Sequence, residues 1–324
     1  MASEDGALKI VLVGCGGAGC NTVKRLADMG AGGAQMLALN TDKKHLNTLP
    51  KDVEHVLIGP PLTRGLGAGG DPLMGEKAAI ASKKAIAPYL KDADLVFVTA
   101  GMGGGTGTGS APVVAQMAKD QGALVIGMVS IPFALERVRV KKAQKGTAKL
   151  AEACDCLVVI ENDKLYQWVP NMQIEKAFAL ADEVVAKAVS GISRTILEPS
   201  LMNLDFADLK SLMEGGGLAM IALGDASGYT RCEDIVPNVL GNPLLDVDYS
   251  QASGALLHLT GGPDFNLGDA NLVGEKLTER VGDECNVVWG SRVNADFEKR
   301  LEAFVIFTGI PSPLLLDPDA KMKE

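Results

Sequence analysis

The ten residues from Gly101 to Ser110, GMGGGTGTGS, hold six glycines and follow directly on an apolar run, Leu95 Val96 Phe97 Val98 Thr99 Ala100. Glycine loses more backbone freedom on folding than any other residue. Such a cluster is expected only where φ must be positive or where something must approach the main chain closely. The apolar run is short, β-branched and aromatic, which predicts a fully buried strand. Beyond the glycines, Ala111 to Ala118 has helical spacing, with Pro112 tolerated in a first turn. The stretch therefore reads as strand, glycine loop, helix, and a flexible linker does not sit between two such elements. Loop amides and the positive end of the following helix can hold a phosphate there without any lysine.

The same alternation fills the first half of the chain. Strands are expected at Leu8 to Val13, Gln35 to Leu39, Leu95 to Thr99, Leu124 to Val129 and Leu157 to Ile160. Helices are expected from about Asn21, near Glu76 to Leu90, and between the last two strands. Apolar strands alternating with helices predict an α/β fold with a parallel, doubly wound sheet, whose ligands lie at the carboxyl ends of the strands. Asn171 can cap a long helix running to Leu197, with Ile174, Phe178, Ala181, Val185, Val189, Ile192 and Ile196 on one stripe and Pro199 closing it. It reads as a spine between a first domain, 1–170, and a second α+β domain, 200–316, with the helix itself at 171–199. In the second domain, strands are expected at Ala219 to Leu223, Ala255 to Leu259, Asn286 to Trp289 and Ala303 to Phe307, with helices near Arg231 to Leu240 and Asn271 to Val281. The tail 317–324 is expected to fray, and residues 313–324 show no recognisable partner-binding segment.

Composition narrows the function classes. The 324 residues are 47% hydrophobic and 22% charged, with a formal net charge of -9. That balance is globular, and it disfavours attraction to nucleic acid or anionic lipid. No apolar run approaches the length of a membrane span, and the first residues lack the basic and apolar regions of a signal peptide, so a cytoplasmic location is expected. Cys15, Cys20, Cys154, Cys156, Cys232 and Cys285 form no CxxC pair and read as small buried thiols. His45, His55 and His258 are too scattered to suggest a metal site or a triad. A bound polyanion would have to be held by local amides and a metal ion.

Three more loops stand at strand ends. Gly14 Cys15 Gly16 Gly17 Ala18 Gly19 Cys20 Asn21 satisfies GxGxxG, which fits a dinucleotide as well as a mononucleotide, and Asp42 could serve as a ribose-binding acid, so an NAD-dependent oxidoreductase competes. Asn40 Thr41 Asp42 and Gly65 Leu66 Gly67 Ala68 Gly69 Gly70 Asp71 weigh against it, because several glycine-rich loops suit a chain of phosphates better than one pyrophosphate. No GxxxxGK[ST] occurs, which excludes a Walker P-loop.

GGGTGTG at 103–109 resembles the signature of the tubulin/FtsZ superfamily of GTPases, and the other three loops match that family's phosphate loops in order. Pro132 Phe133 with Glu136, Asn162 to Leu165, Asn203 to Asp208, and Pro243 to Asp246 correspond as well. The resemblance runs from about residue 8 to 312. It is closer to the FtsZ branch than to tubulin, whose helical C-terminal extension is missing, and the wording at 203–208 and 243–264 looks archaeal.

The resemblance implies a head-to-tail filament for cell division, assembling at a mid-cell ring, with GTP or GDP and Mg²⁺ bound and a membrane-anchoring adaptor as a possible further partner. It implies that Gly16, Gly17, Asn40, Thr41, Asp42, Ala68, Gly69, Gly70, Gly103, Gly104, Gly105, Thr106, Gly107, Thr108 and Gly109 surround the nucleotide's phosphates. Glu136 and Asn162 would hold the ribose, Asn21 and Asp182 the guanine edge, and Phe178 would stack on the ring. Each Asn or Asp could instead be a helix cap and Phe178 a core residue. The family places a basic residue four positions after the ribose glutamate. Val140 stands there, with Arg137 and Arg139 nearby, and Arg139 is the choice for that contact. Asn203, Asp205 and Asp208 would reach the nucleotide of the next subunit and complete its GTPase there. Asp205 and Asp208 also fit an N-cap and N3 pair, and both roles can coexist. Two acids beside a triphosphate call for a divalent cation, expected mainly on phosphate and water oxygens. A nucleotide-binding filament protein without catalysis is the further alternative, against which both acids speak.

Overall fold

A computed structural model gives the fold and describes residues 8–30, 33–197, 205–214, 217–241 and 248–310. The chain divides into two compact units; among the described residues the first comprises 8–163 and 171–193, and the second 164–170 and 194–310.

The first unit is a parallel sheet of β1 (Ile10–Cys15), β2 (Gln35–Asn40), β3 (Glu54–Leu57), β4 (Leu95–Gly101), β5 (Leu124–Ile131) and β6 (Cys156–Glu161), in the order β3-β2-β1-β4-β5-β6. Residues of β1 and β4 are buried along almost their whole length, because helices cover both faces. The strand order reverses between β1 and β4, which opens a crevice outside their carboxyl ends. Around the sheet lie α1 (Gly16–Met29), α2 (Lys43–Leu46), α3 (Pro60–Thr63), α4 (Pro72–Ala81), α5 (Lys83–Leu90), α6 (Thr106–Lys119), α7 (Val138–Ala153), α8 (Asn162–Trp168) and α9 (Ile174–Leu197). The last four residues of α9 and all but the first two of α8 belong to the second unit. At 1.5 Å per residue, the 24 residues of α9 span about 36 Å.

Several elements depart from the sequence reading. Helix α1 starts at Gly16 rather than near Asn21, directly off the strand. Gly19 serves packing: a Cβ on it would lie 2.3 Å from the Thr99 carbonyl oxygen of β4. Helix α6 likewise starts at Thr106, so Pro112 lies inside it and not in its first turn. The helix expected at 76–90 breaks at Ser82, whose buried hydroxyl accepts a 2.8 Å hydrogen bond from Gly59 N. Asn171 does not cap α9, which begins at Ile174 with Ala177 N bonded to Gln173 O.

The second unit has a sheet in the order β7-β10-β8-β9, formed by β7 (Gly217–Ser227), β8 (Gly254–Gly261), β9 (Asn286–Val293) and β10 (Arg300–Ile310). Strand β10 runs antiparallel to β7 and β8, and β8 pairs parallel with β9. Helices α10 (Phe206–Met213), α11 (Arg231–Leu240) and α12 (Leu267–Thr278) accompany it. The core gathers Ile221, Ile235, Val239, Leu257, Val273, Leu277, Val305 and Phe307. Arg231, buried at the start of α11, pairs with Asp264 and Asp269, and Asp264 also accepts from Lys299 N, so one guanidinium ties three segments together. Among the described residues no helix is long and apolar enough to cross a membrane. Cys15, Cys20, Cys154 and Cys156 are buried free thiols, and burial pushes Cys15 and Cys156 up to about 12. Cys232 and Cys285 are free and half-buried.

Candidate functional site

Four loops meet at the carboxyl ends of β1, β2 and β4. The turn after β4 is the centre. A Cβ on Gly16 would lie 2.6 Å from Gly107 N, which brings the first loop against it. Thr41 and Thr106 share a 2.6 Å hydroxyl contact, which brings the second. A Cβ on Gly105 would stand 2.9 Å from both Ala68 Cβ and Asp71 N, which brings the third. Gly67 N donates to Thr41 O and Lys43 N to Gly65 O, so the second and third loops also hold each other.

Beyond Gly105, glycine has three different reasons at the main positions of this cradle. Gly107 and Gly109 are dictated from within: a Cβ on Gly107 would meet Gly101 O at 2.8 Å, and one on Gly109 would lie 2.0 Å from Pro72 O on α4. Both are in the buried first turns of α6 with Thr108, whose hydroxyl accepts from Gly103 N at 2.9 Å. At Gly109 the close approach of α4 by itself requires glycine. Gly16, Gly69, Gly70 and Gly103 have positive φ. Gly17 and Gly104 have neither reason. Their backbones are not left-handed, and a Cβ there would find nothing of the protein within 4 Å. What glycine preserves at those two positions is the space in front of the main chain.

Helices α1 and α6 both begin at this space with no side-chain cap and no acid in the first turn. First-turn amides left without intrahelical partners, with the helix dipole behind them, make an anion seat. Asp42 and Asp71, by contrast, cap α2 and α4: Asp42 accepts from Lys44 N and His45 N, and Asp71 from Leu73 N. Asn40 is buried and turned inward, accepting from Asp42 N and meeting His45 Nδ1. The cap reading therefore holds for those two acids.

It fails for the residues beside the cradle. Asn21 is the sixth residue of α1, and Asp182 lies in the middle of α9. Both line one cavity of about 450 Å³ together with Lys24, Arg25, Asp28, Glu175, Phe178 and Ala179. Phe178 is not a core residue, being 40% exposed, and it meets Phe133 edge to face at 5.7 Å. Burial pushes Asp182 up to about 6, against the opposing pull of a hydrogen bond from Thr22 and the charge of Arg25. Asn162 opens α8, buried, and its Oδ1 has no hydrogen-bond partner. Glu136 closes a short 3-10 turn, accepting from Phe133 N and from the Arg139 guanidinium. The Arg139 carbonyl lies 2.6 Å from where a Cβ on Gly103 would stand, so this turn abuts the cradle.

Two contacts had no sequence signal. Lys142 Nζ donates to the Gly70 carbonyl at 2.6 Å, and Thr22 donates to Asp182. Each joins segments distant in the chain, and nothing local marks such a pair. Asp205 and Asp208 belong to the second unit and form the capping box of α10, with Asp208 N bonded to Asp205 Oδ1 at 2.8 Å and Asp205 N to Asp208 Oδ2 at 3.2 Å. The box engages one oxygen of each. Asn203 and the 243–246 motif lie outside the described residues.

The model of the tubulin/FtsZ family GTPase domain matches residues 9–170, and that of the FtsZ family C-terminal domain matches 217–311. The chain is 51% identical over 326 residues to cell division protein FtsZ 2 of Methanocaldococcus jannaschii, covering 100% of this chain and 86% of that protein. It is 48% identical over 318 residues to cell division protein FtsZ 2 of Halobacterium salinarum, covering 98% and 81%. An empty FtsZ dimer from M. jannaschii has a similar structure, with a TM-score of 0.87 at 44% identity over 94% of this chain and 89% of that one. The oxidoreductase alternative falls with these matches. The chain belongs to the tubulin/FtsZ family, on its FtsZ branch, and is a self-assembling GTPase of cell division.

Proposed function

We propose that the cradle binds the phosphates of GTP in one molecule and that acids of the next molecule in a head-to-tail filament complete hydrolysis. The carrying observation is the space kept clear in front of Gly17 and Gly104, between two uncapped helix starts. In this reading Gly16, Gly17, Ala68, Gly69, Gly70 and Gly103 to Thr108 surround the phosphates. Asn21 and Asp182 read the base, since a carboxylate can accept from both the N1 and N2 donors of guanine and adenine offers neither. Phe178 supplies a ring face. Asn162 and Glu136 receive the ribose hydroxyls, and Arg139, bound to Glu136, supplies the positive charge that Val140 cannot.

Asn203, Asp205 and Asp208 act on the neighbour's nucleotide by orienting and polarising a water, because phosphoryl transfer needs positioning and charge stabilisation more than covalent help. A divalent ion, carried mainly on phosphate and water oxygens, relieves repulsion between these acids and the triphosphate. Contacts between unlike surfaces propagate an open filament, which couples cleavage to assembly. The protein works at a cytoplasmic mid-cell ring, attached through an adaptor.

Phosphate release and light scattering on adding GTP test the reading. Turnover per molecule should climb steeply with protein concentration, and a concentration-independent rate would refute the shared site. Asp205→Ala should still bind GTP and assemble but hydrolyse it slowly; lost nucleotide binding would place the residue in its own molecule's site.

A further inference from the structure

We propose that Thr22 is a positioning residue that fixes the Asp182 carboxylate for guanine, and that it thereby sets the preference for a purine bearing the 2-amino group. Thr22 is 3% exposed and lies one turn of α1 beyond the cradle glycines. Its hydroxyl reaches Asp182 Oδ1 on α9 at 3.1 Å and the Ala18 carbonyl of its own helix at 3.3 Å. A hydroxyl has one proton, and the nearer, charged acceptor holds it. The inference rests on the reading of Asp182 as the base acceptor.

The physical case is geometric. The terminal torsion of an aspartate is soft, so an untethered carboxylate rotates and presents no fixed pair of oxygens. Thr22 occupies a lone pair on Oδ1, leaving the remaining acceptor sites of this cavity-lining carboxylate for a base. Guanine presents two donors and needs that fixed pair; hypoxanthine, without the 2-amino group, presents one. Since Thr22 and the cradle turn share the first turns of α1, the base seat and the phosphate seat are also held in register by one rigid element. The charged groups facing Asp182 are Lys24, Arg25 and Asp28 from α1 and Glu175 from α9. The Thr22 bond favours the ionised carboxylate, opposing the burial that disfavours it.

The test is calorimetric binding of GDP and inosine diphosphate to the full chain between pH 5.5 and 8, using diphosphates so that assembly and hydrolysis do not intrude. Thr22→Val and Thr22→Ala remove the hydroxyl, and Thr22→Ser keeps it. The wild type and the serine variant should prefer GDP. The valine and alanine variants should lose about tenfold of that preference, and the pH below which GDP binding fades should rise by about one unit. If the valine variant fails to fold, alanine, the most favourable residue in a helix interior, carries the comparison. Unchanged GDP preference and pH profile in both hydroxyl deletions would overturn the role of Thr22. Equal weakening of both nucleotides at an unmoved pH profile would also overturn it, because that is the mark of a packing role alone. A wild type with no preference for GDP would instead overturn the reading of Asp182.

Discussion

Asp182 illustrates how a side chain proposed to bind the base can also be a stability liability. Burial holds its proton up to about 6, against 3.8 for an ordinary aspartate. Between those values the folded state keeps a proton that the unfolded chain has released, so stability falls as pH rises through this window and stays lowered above it. Asp182→Asn should therefore melt higher than wild type at pH 7.5 without nucleotide, while binding GDP at least tenfold more weakly; an equal or lower melting temperature would contradict this account. Gly104 separates the proposed ligand space from packing in the same way. With open space and an ordinary backbone there, Gly104→Ala should leave stability within about 0.5 kcal/mol and weaken GTP binding clearly, both readable from melts with and without nucleotide.

At the scale of elements, the contact of α4 with α6 depends on a missing side chain. A methyl on Gly109 would enter the Pro72 carbonyl at 2.0 Å, so Gly109→Ala should cost more than about 3 kcal/mol in urea unfolding, whether or not nucleotide is present. In β8 the buried His258, with no partner on Nδ1, is held down at about 4 by burial. The unfolded chain binds that proton first, so stability is lost as pH falls from about 6.5 toward 4, by something on the order of 3 kcal/mol. Replacing His258 by Leu should flatten that acid limb in pH-dependent unfolding. Element boundaries were legible where period and composition agreed: Gln35 to Leu39, Arg231 to Leu240 and the body of α9 fall within a residue or a few of their observed limits. The starts of α1 and α6 were not, because glycine signals a loop locally while here it serves close helix–strand and helix–helix contact. The four-residue β3, α2 and α3 are too short to show any period.

For the whole molecule, assembly and hydrolysis are one process in the proposed mechanism, and the concentration dependence of turnover is its measure. The residue types needed to read the class were all in the chain order: four loops at expected strand ends, six glycines between Gly101 and Ser110, and paired acids at 205 and 208. Those are local signals, carried by backbone preference and by side-chain chemistry at fixed spacing, and they sufficed for the parallel α/β unit, the glycine-rich loops at its strand ends and the family. The sequence left open whether Phe178 was core, whether Asn21 and Asp182 were caps, and which glycines the protein's own packing requires. Tertiary structure decided these, because each answer depends on what lies opposite: Phe133 against Phe178, Thr22 against Asp182, Pro72 against Gly109, and open space before Gly17 and Gly104. Contacts between residues more than a hundred positions apart, such as Thr22 and Asp182, exist only once the sheet order has brought their helices side by side, and no local pattern encodes them.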